Sequence, residues 1–356
     1  MRRFITAQAA LHPAMQPRDA LKLCYQAAYG AEHLLSDQAA ARDYLRRELL
    51  SCPADANAPL AEAISPDTCR VNLSAWKAAD LPEEWLWGMF LRSCAPRIDG
   101  DTRFSEAIDA VGAAAAQGEL PFSWTDWEAE WQAYRAGAPG PVHHSEGYRA
   151  AEHPAYRVVS YRYVRALALV AGLDLSCRQI IALDGRCASG KTTLAKDAAE
   201  LFGASAVHMD DFYLPLALRT EERLGTPGGN VHYERFLTDV IPALRQGGAF
   251  SYPVFDCSVM DIRGQRSVAD SALVIVEGAY SCHPALGDYM TLRAFSDIEP
   301  EEQQRRILLR NGEAGLRQFN ARWIPLEEKY IAALRIREWA QIILPARACA
   351  GYTLCR

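Results

Sequence analysis

From residue 179 the chain reads Gln-Ile-Ile-Ala-Leu-Asp, then Gly-Arg-Cys-Ala-Ser-Gly-Lys-Thr-Thr, then Leu-Ala-Lys-Asp-Ala-Ala-Glu-Leu-Phe. The apolar run 180–183 predicts a buried strand, and residues 194–202 carry helical spacing that Gly203 stops. Between them Gly185, Gly190, Lys191 and Thr192 fill every fixed position of G-x4-G-K-[ST]. Strand, glycine loop and helix in that order turn the pattern into a mechanism. The glycines let the backbone curl so that successive N–H groups face one anion, and the new helix adds its positive end. Lys191 can reach the outer phosphates, and the Thr192 hydroxyl can bind Mg²⁺. The bare pattern arises by chance in about one chain of this length in a few hundred. A glycine turn with no ligand is the plain alternative, but the flanking strand and helix favour a loop that binds a nucleoside triphosphate. The expected contacts are Gly185, Ala188, Ser189, Gly190, Lys191, Thr192 and Thr193.

From residue 176 onward strands alternate with helices, the pattern of a parallel sheet with crossover helices. The expected strands are 179–183, 204–209, 273–276, 292–295 and 342–344. Ligands in such sheets bind at the carboxyl ends of the strands. Past the second strand stands His208-Met-Asp-Asp-Phe-Tyr213. Asp210 there could accept a hydroxyl proton or bind Mg²⁺, against the plainer role of capping a turn. Past the third apolar run stands Glu277, a charge pointing into the crevice and suited to metal-bound water, against a buried paired carboxylate. The run Gly-Thr-Pro-Gly-Gly-Asn ending at Asn230 has the composition of a lid hinge. Arg306 and Arg310 share one helix face and could clamp a transferring phosphoryl group, whereas a solvated helix would carry Glu301–Arg305 and Glu302–Arg306 pairs.

The first 172 residues predict a mainly α-helical domain, and 173–356 the α/β P-loop NTPase domain. Periodic helices span 18–35, 39–50, 82–94, 103–117 and a last one ending near Gly172, with 70–73 as a short extended piece. Trp124, Trp127, Trp131 and Tyr134 lie on one helix face, better suited to packing than to a ligand platform. Adjacent His143 and His144 cannot easily meet at one point, and with His33 and His153 they make a poor metal set. Glu32-His33 fits a helix end better than an acid–base pair.

Of 356 residues, 50% are apolar and 23% charged, enough for sizeable cores. A net charge of −6 argues against nucleic-acid or membrane-surface partners. Ten cysteines without a C-x2-C pair fit a reducing compartment, and the interrupted basic start is a poor signal peptide. A soluble, cytoplasmic protein is expected, with a homo-oligomer left open.

The motifs of the second half resemble those of the uridine kinase and phosphoribulokinase group of P-loop small-molecule kinases. The resemblance covers about 179–344. It rests on the phosphate loop, Asp210-Asp211-Phe212-Tyr213, Asn230 with its helix, Phe255-Asp256, Val276-Glu277-Gly278, the arginine helix and Trp323 to Tyr330. The likeness implies an ATP- and Mg²⁺-dependent phosphotransferase acting on a small-molecule hydroxyl acceptor. Asp210 would be the base, Lys191, Arg306 and Arg310 would act on the phosphates, and Thr192, Glu277 and Asp210 would hold Mg²⁺. The acceptor would meet Tyr213, Asn230, His232, Phe255 and Asp256. His232 stands where uridine kinases carry a ribose-binding aspartate, and no base-reading histidine lies near Phe255-Asp256. A nucleoside leads as acceptor class, followed by a sugar, sugar phosphate or vitamin precursor. An NTP-binding switch with a helical partner-binding half is the rival from another class. Some phosphoribulokinases carry a regulatory thiol in this loop, where Cys187 stands.

Overall fold

The computed structural model describes residues 1–31 and 37–355; Glu32 and His33 lie outside the described residues. The chain divides into two compact units, Met1–Val164 with Arg347–Arg356, and Arg165–Ala346. The expected division at 172/173 thus differs from the observed one at both ends.

The first unit opens with helices α1 (Arg2–Leu11), α2 (Pro17–Tyr29) and α3 (Gln38–Ser51). Strands β1 (Ala61–Ser65) and β2 (Thr68–Asn72) form a hairpin. Then come α4 (Leu73–Ala78), α5 (Glu83–Ser93), α6 (Gly100–Ala116), α7 (Trp124–Ala136) and α8 (Glu146–Glu152). Strand β3 (Tyr156–Ser160) pairs with β2, and helix α9 (Tyr161–Val170) follows, its residues from Arg165 on counted with the second unit. The unit is mainly helical, as expected, but it also holds an antiparallel sheet completed by the late strand Thr353–Leu354 on β1. That pairing is what returns the last residues to this unit. The sheet escapes sequence patterning because its buried positions include Glu62, Arg70 and Arg157, where alternation would demand apolar side chains. On α7, Trp127 is buried and Trp131 stacks on Tyr134 at 5.6 Å, both against Phe104 of α6, so these three form a packing face, whereas Trp124 at the start of the helix is exposed.

The second unit is built on five parallel strands. In chain order its elements are β4 (Gln179–Gly185), α10 (Lys191–Phe202), β5 (Ser205–His208), α11 (Glu221–Gly225), α12 (Tyr233–Asp239) and α13 (Ile241–Gln246). The hairpin β6 (Phe250–Asp256) and β7 (Asp261–Val268) precedes β8 (Leu273–Glu277) and β9 (Leu292–Asp297). Helices α14 (Pro300–Gln318), α15 (Ile324–Ala333) and α16 (Ile336–Trp339) lead to β10 (Ile342–Pro345). The sheet order is β10-β9-β4-β8-β5, with all pairs parallel. These are the five strands expected from the sequence. Ile181, Ala182, Leu183, Val274, Ile275 and Val276 are fully buried, the mark of strands covered on both faces. From β4 the chain crosses over β8 to reach β5, and later crosses β4 to lay down β9. Strand β4 is therefore where the winding reverses, and its carboxyl end opens the crevice. The hairpin β6–β7 has no counterpart among the expected strands: β7 is polar and exposed up to Val268, while β6 buries Tyr252 and Phe255.

Candidate active site

The loop after β4 is fixed from below by Asp184. Its carboxylate accepts from the N–H groups of Gly185 (2.7 Å), Tyr280 (3.1 Å) and Cys282 (2.9 Å) and from the Tyr330 hydroxyl (2.7 Å). Burial pushes this carboxyl above its ordinary range, and those donors with the charge of Lys191 oppose the push. A Cβ at Gly185 would sit 2.1 Å from the Ser296 carbonyl oxygen, and φ there is +132°, so only glycine lets the loop leave the strand this way. Lys191 folds over the loop, donating to the carbonyls of Gly185 (2.7 Å) and Arg186 (2.9 Å). Buried Arg165 braces the loop, donating to Ser189 O (3.3 Å), Ser296 Oγ (2.7 Å) and Leu344 O (3.4 Å). Cys187 is held by Glu327, which accepts from its N–H at 2.8 Å, and by Gln303. Burial and the neighbouring Glu327 push its thiol up, the opposite of what a reactive regulatory cysteine needs.

Carboxylates face this loop from the neighbouring strands. Glu277, the last residue of β8, is buried and accepts from Thr192 Oγ1 at 3.1 and 3.2 Å. His208 at the end of β5 meets the same carboxylate at 2.5 Å through Nδ1 and fixes its orientation. Asp210 follows on a short 3₁₀ turn, Met209–Phe212. It touches solvent within the crevice and accepts from Tyr213 OH at 3.1 Å. Crowding by protein, with the negative charge of Glu277, raises its pKa against the pull of Lys191. Asp211 turns the other way. It is buried, accepting from Tyr252 OH (2.9 Å) and from Arg266 Nε (2.6 Å) and Nη2 (3.1 Å). Adjacent carboxylates thus divide between crevice and core.

From α14, Arg306 donates to the Ala188 carbonyl (3.3 Å) and is steadied by Glu302 (2.7 Å); the Arg310 guanidinium lies over Phe319. The chain continues through the π turn Phe319–Trp323, which presents Phe319, Arg322 and Trp323. Together these groups enclose a crevice of about 620 Å³. Of the residues expected from the sequence, Ala188, Gly190, Lys191, Thr192, Thr193, Asp210, Tyr213, Glu277, Arg306 and Arg310 line it. Gly185 and Ser189 support the loop from behind. Asn230 lines a neighbouring cavity of about 370 Å³ that shares Tyr213 and Trp323. His232, Phe255 and Asp256 do not line the crevice. His232 starts α12, Phe255 is buried with its ring against Tyr213, and Asp256 accepts from Ser258 N (2.8 Å) and Oγ (2.6 Å) to cap the hairpin turn. The glycine-rich run before Asn230 is tied down by Arg223, which donates to Gly229 O (2.8 Å) and Val231 O (2.9 Å). Arg165 and Arg322 carry no sequence motif, and His208 and Glu327 lie in segments noted in the sequence without a role; only their contacts assign all four a place.

The oxygen donors of Thr192, Glu277 and Asp210 suit a hard cation such as Mg²⁺. Among the described residues no group of three or more His, Cys, Asp or Glu side chains gathers to hold a metal unaided. No described helix is long and apolar enough to cross a membrane.

No family model matches the chain, and no curated protein matches it. Among solved structures it is similar to a possible uridine kinase from Bacillus stearothermophilus, at 18% identity and a TM-score of 0.40, over 51% of this chain and 97% of that one. It is also similar to a candidate fructose transport system kinase from Silicibacter sp. TM1040, at 23% identity and a TM-score of 0.39, over 51% and 98%. The second unit is an α/β P-loop fold on its own evidence of sheet order, the glycine loop after β4 and the helix that leaves it.

Proposed function

We propose that the chain is an ATP- and Mg²⁺-dependent kinase that transfers the γ-phosphoryl group to a hydroxyl of a small metabolite. One observation carries this reading: a phosphate loop, an accessible carboxylate at Asp210 and two arginines share one crevice. The loop N–H groups and Lys191 bind the triphosphate, and Arg306 and Arg310 hold the outer phosphates from α14. Thr192 and Glu277, the latter oriented by His208, would hold Mg²⁺, which when bound neutralises charge on the phosphates. Asp210 accepts the proton of the attacking hydroxyl, and Tyr213 orients that carboxylate. An NTP-binding switch needs no base of this kind.

Tyr213, Phe319 and Trp323 at the crevice wall suit a flat group, which keeps a nucleoside as the leading acceptor. Arg219 and Arg322 on the same wall favour a second reading, an acceptor with an anionic group such as a sugar phosphate. The test is ADP release measured across a panel of nucleosides, sugars and sugar phosphates. Release that depends on one added acceptor supports the kinase; turnover indifferent to every acceptor supports the switch.

A further inference from the structure

The first unit holds a cavity of about 580 Å³ that the kinase reading does not use. Lys22, Arg149 and Arg157 line it, and Glu48 is the only carboxylate among the lining residues. Arg157 is already paired with Glu48 at 2.7 Å. Lys22 donates to a single internal partner, the Val142 carbonyl at 3.0 Å, leaving an ammonium group with donors to spare. The Arg149 side chain makes no hydrogen bond or ion pair among the described residues. Counted with neutral histidines, the lining carries two surplus positive charges.

The wall is rigidly built. Asp19 accepts from Ser145 N (3.0 Å), Ser145 Oγ (2.6 Å) and His144 Nδ1 (2.7 Å), while His144 Nε2 meets Tyr156 OH at 2.6 Å. Gln26 donates to the same hydroxyl (3.2 Å) and accepts from the buried Arg70, whose guanidinium lies 4.6 Å from the Tyr156 ring centre. A polar network satisfied this fully keeps one geometry, and it does so around a concave, cationic space. Lys22 and Arg149 both line that space, and among the described residues neither is paired with a carboxylate.

We propose that this cavity binds a small molecule bearing a phosphate monoester, whose dianion matches the two surplus charges, with Lys22 and Arg149 as its principal contacts. The full-length protein is titrated with inorganic phosphate, then with ribose 5-phosphate, while a non-hydrolysable ATP analogue and Mg²⁺ saturate the other unit. Isothermal titration calorimetry reads the affinity. The expected result is a saturable site whose affinity falls about tenfold for each of Lys22→Met and Arg149→Ala, the loss of one charge-assisted hydrogen bond. Arg149 is exposed, so its variant folds even if the Lys22 variant does not. Phosphate binding unchanged in Arg149→Ala, no binding in the parent protein, or malonate binding more tightly than both phosphate probes would overturn the assignment.

Discussion

Replacing Asp210 by asparagine separates the proposed chemistry from the fold. The side chain keeps its size, and its oxygen still accepts from Tyr213 OH, which lies 3.1 Å from the parent carboxylate. What disappears is a base and a negative charge. Removing a general base typically costs about 10²–10⁴ in rate, or about 3–5 kcal/mol at roughly 1.36 kcal/mol per decade. Stability should move the other way. Asp210 is a carboxyl whose pKa is raised in the fold by crowding and by Glu277, so folding disfavours its ionised form relative to the unfolded chain. Neutral asparagine should leave the protein no less stable at pH 7. The same shift places the acid limb of the parent pH–rate profile above the ordinary aspartate range. Asp211→Asn is the contrast: it weakens the Arg266 and Tyr252 contacts of a buried carboxylate, a loss of about 1–3 kcal/mol in stability. Its transfer rate below the unfolding transition should stay near the parent's. Acceptor-dependent ADP release and thermal unfolding, measured on both variants, decide the matter. A fast Asp210→Asn beside a folded but inactive Asp211→Asn would refute the assignment of the base.

Three further outcomes are expected. Lys191→Ala should abolish turnover and weaken ATP binding by roughly ten- to a hundredfold, the loss of a charged donor to phosphate; a nucleotide-binding titration checks it. His144 is buried against Asp19, and burial holds its pKa at about 4 rather than 6.5. A histidine kept neutral by the fold adds stability that is full above about pH 6.5 and is lost as pH falls towards 4, up to about 3 kcal/mol. Denaturant unfolding from pH 7 to 4 should therefore show a shallower decline in His144→Gln than in the parent. Residues 165–346 expressed alone should fold and bind ATP, while a fragment 174–356 carries ten terminal residues that belong with the first unit, Thr353 and Leu354 among them pairing with β1 in the intact chain; circular dichroism and ATP titration compare the two.

The parallel sheet was legible because strands buried on both faces must be apolar throughout, as 180–183 and 273–276 are. Glu277, the charge that ends the second of those runs, stands out for the same reason, whereas Asp210 stands out by its place just past the carboxyl end of β5. Of the first unit's sheet only the extended piece at 70–73, which overlaps β2, was legible; the rest was not, since Glu62, Arg70 and Arg157 are buried through partners distant in sequence: His12, Gln26 and Glu48. His208 was visible as a residue but not as a partner of Glu277, because the two lie 69 positions apart and meet only when β5 pairs with β8. Arg165 is the same case against the phosphate loop. An aspartate in a turn looks the same in sequence whether it caps a neighbour or holds a ligand, and Asp256 caps Ser258 in the structure.

The central claim is transfer to an acceptor, and ³¹P NMR of the full-length protein with ATP, Mg²⁺ and the acceptor panel observes it directly. The account predicts a phosphate monoester resonance that grows one-for-one with ADP and disappears when that acceptor is withheld. ADP accumulating only with inorganic phosphate, whichever acceptor is present, would contradict it.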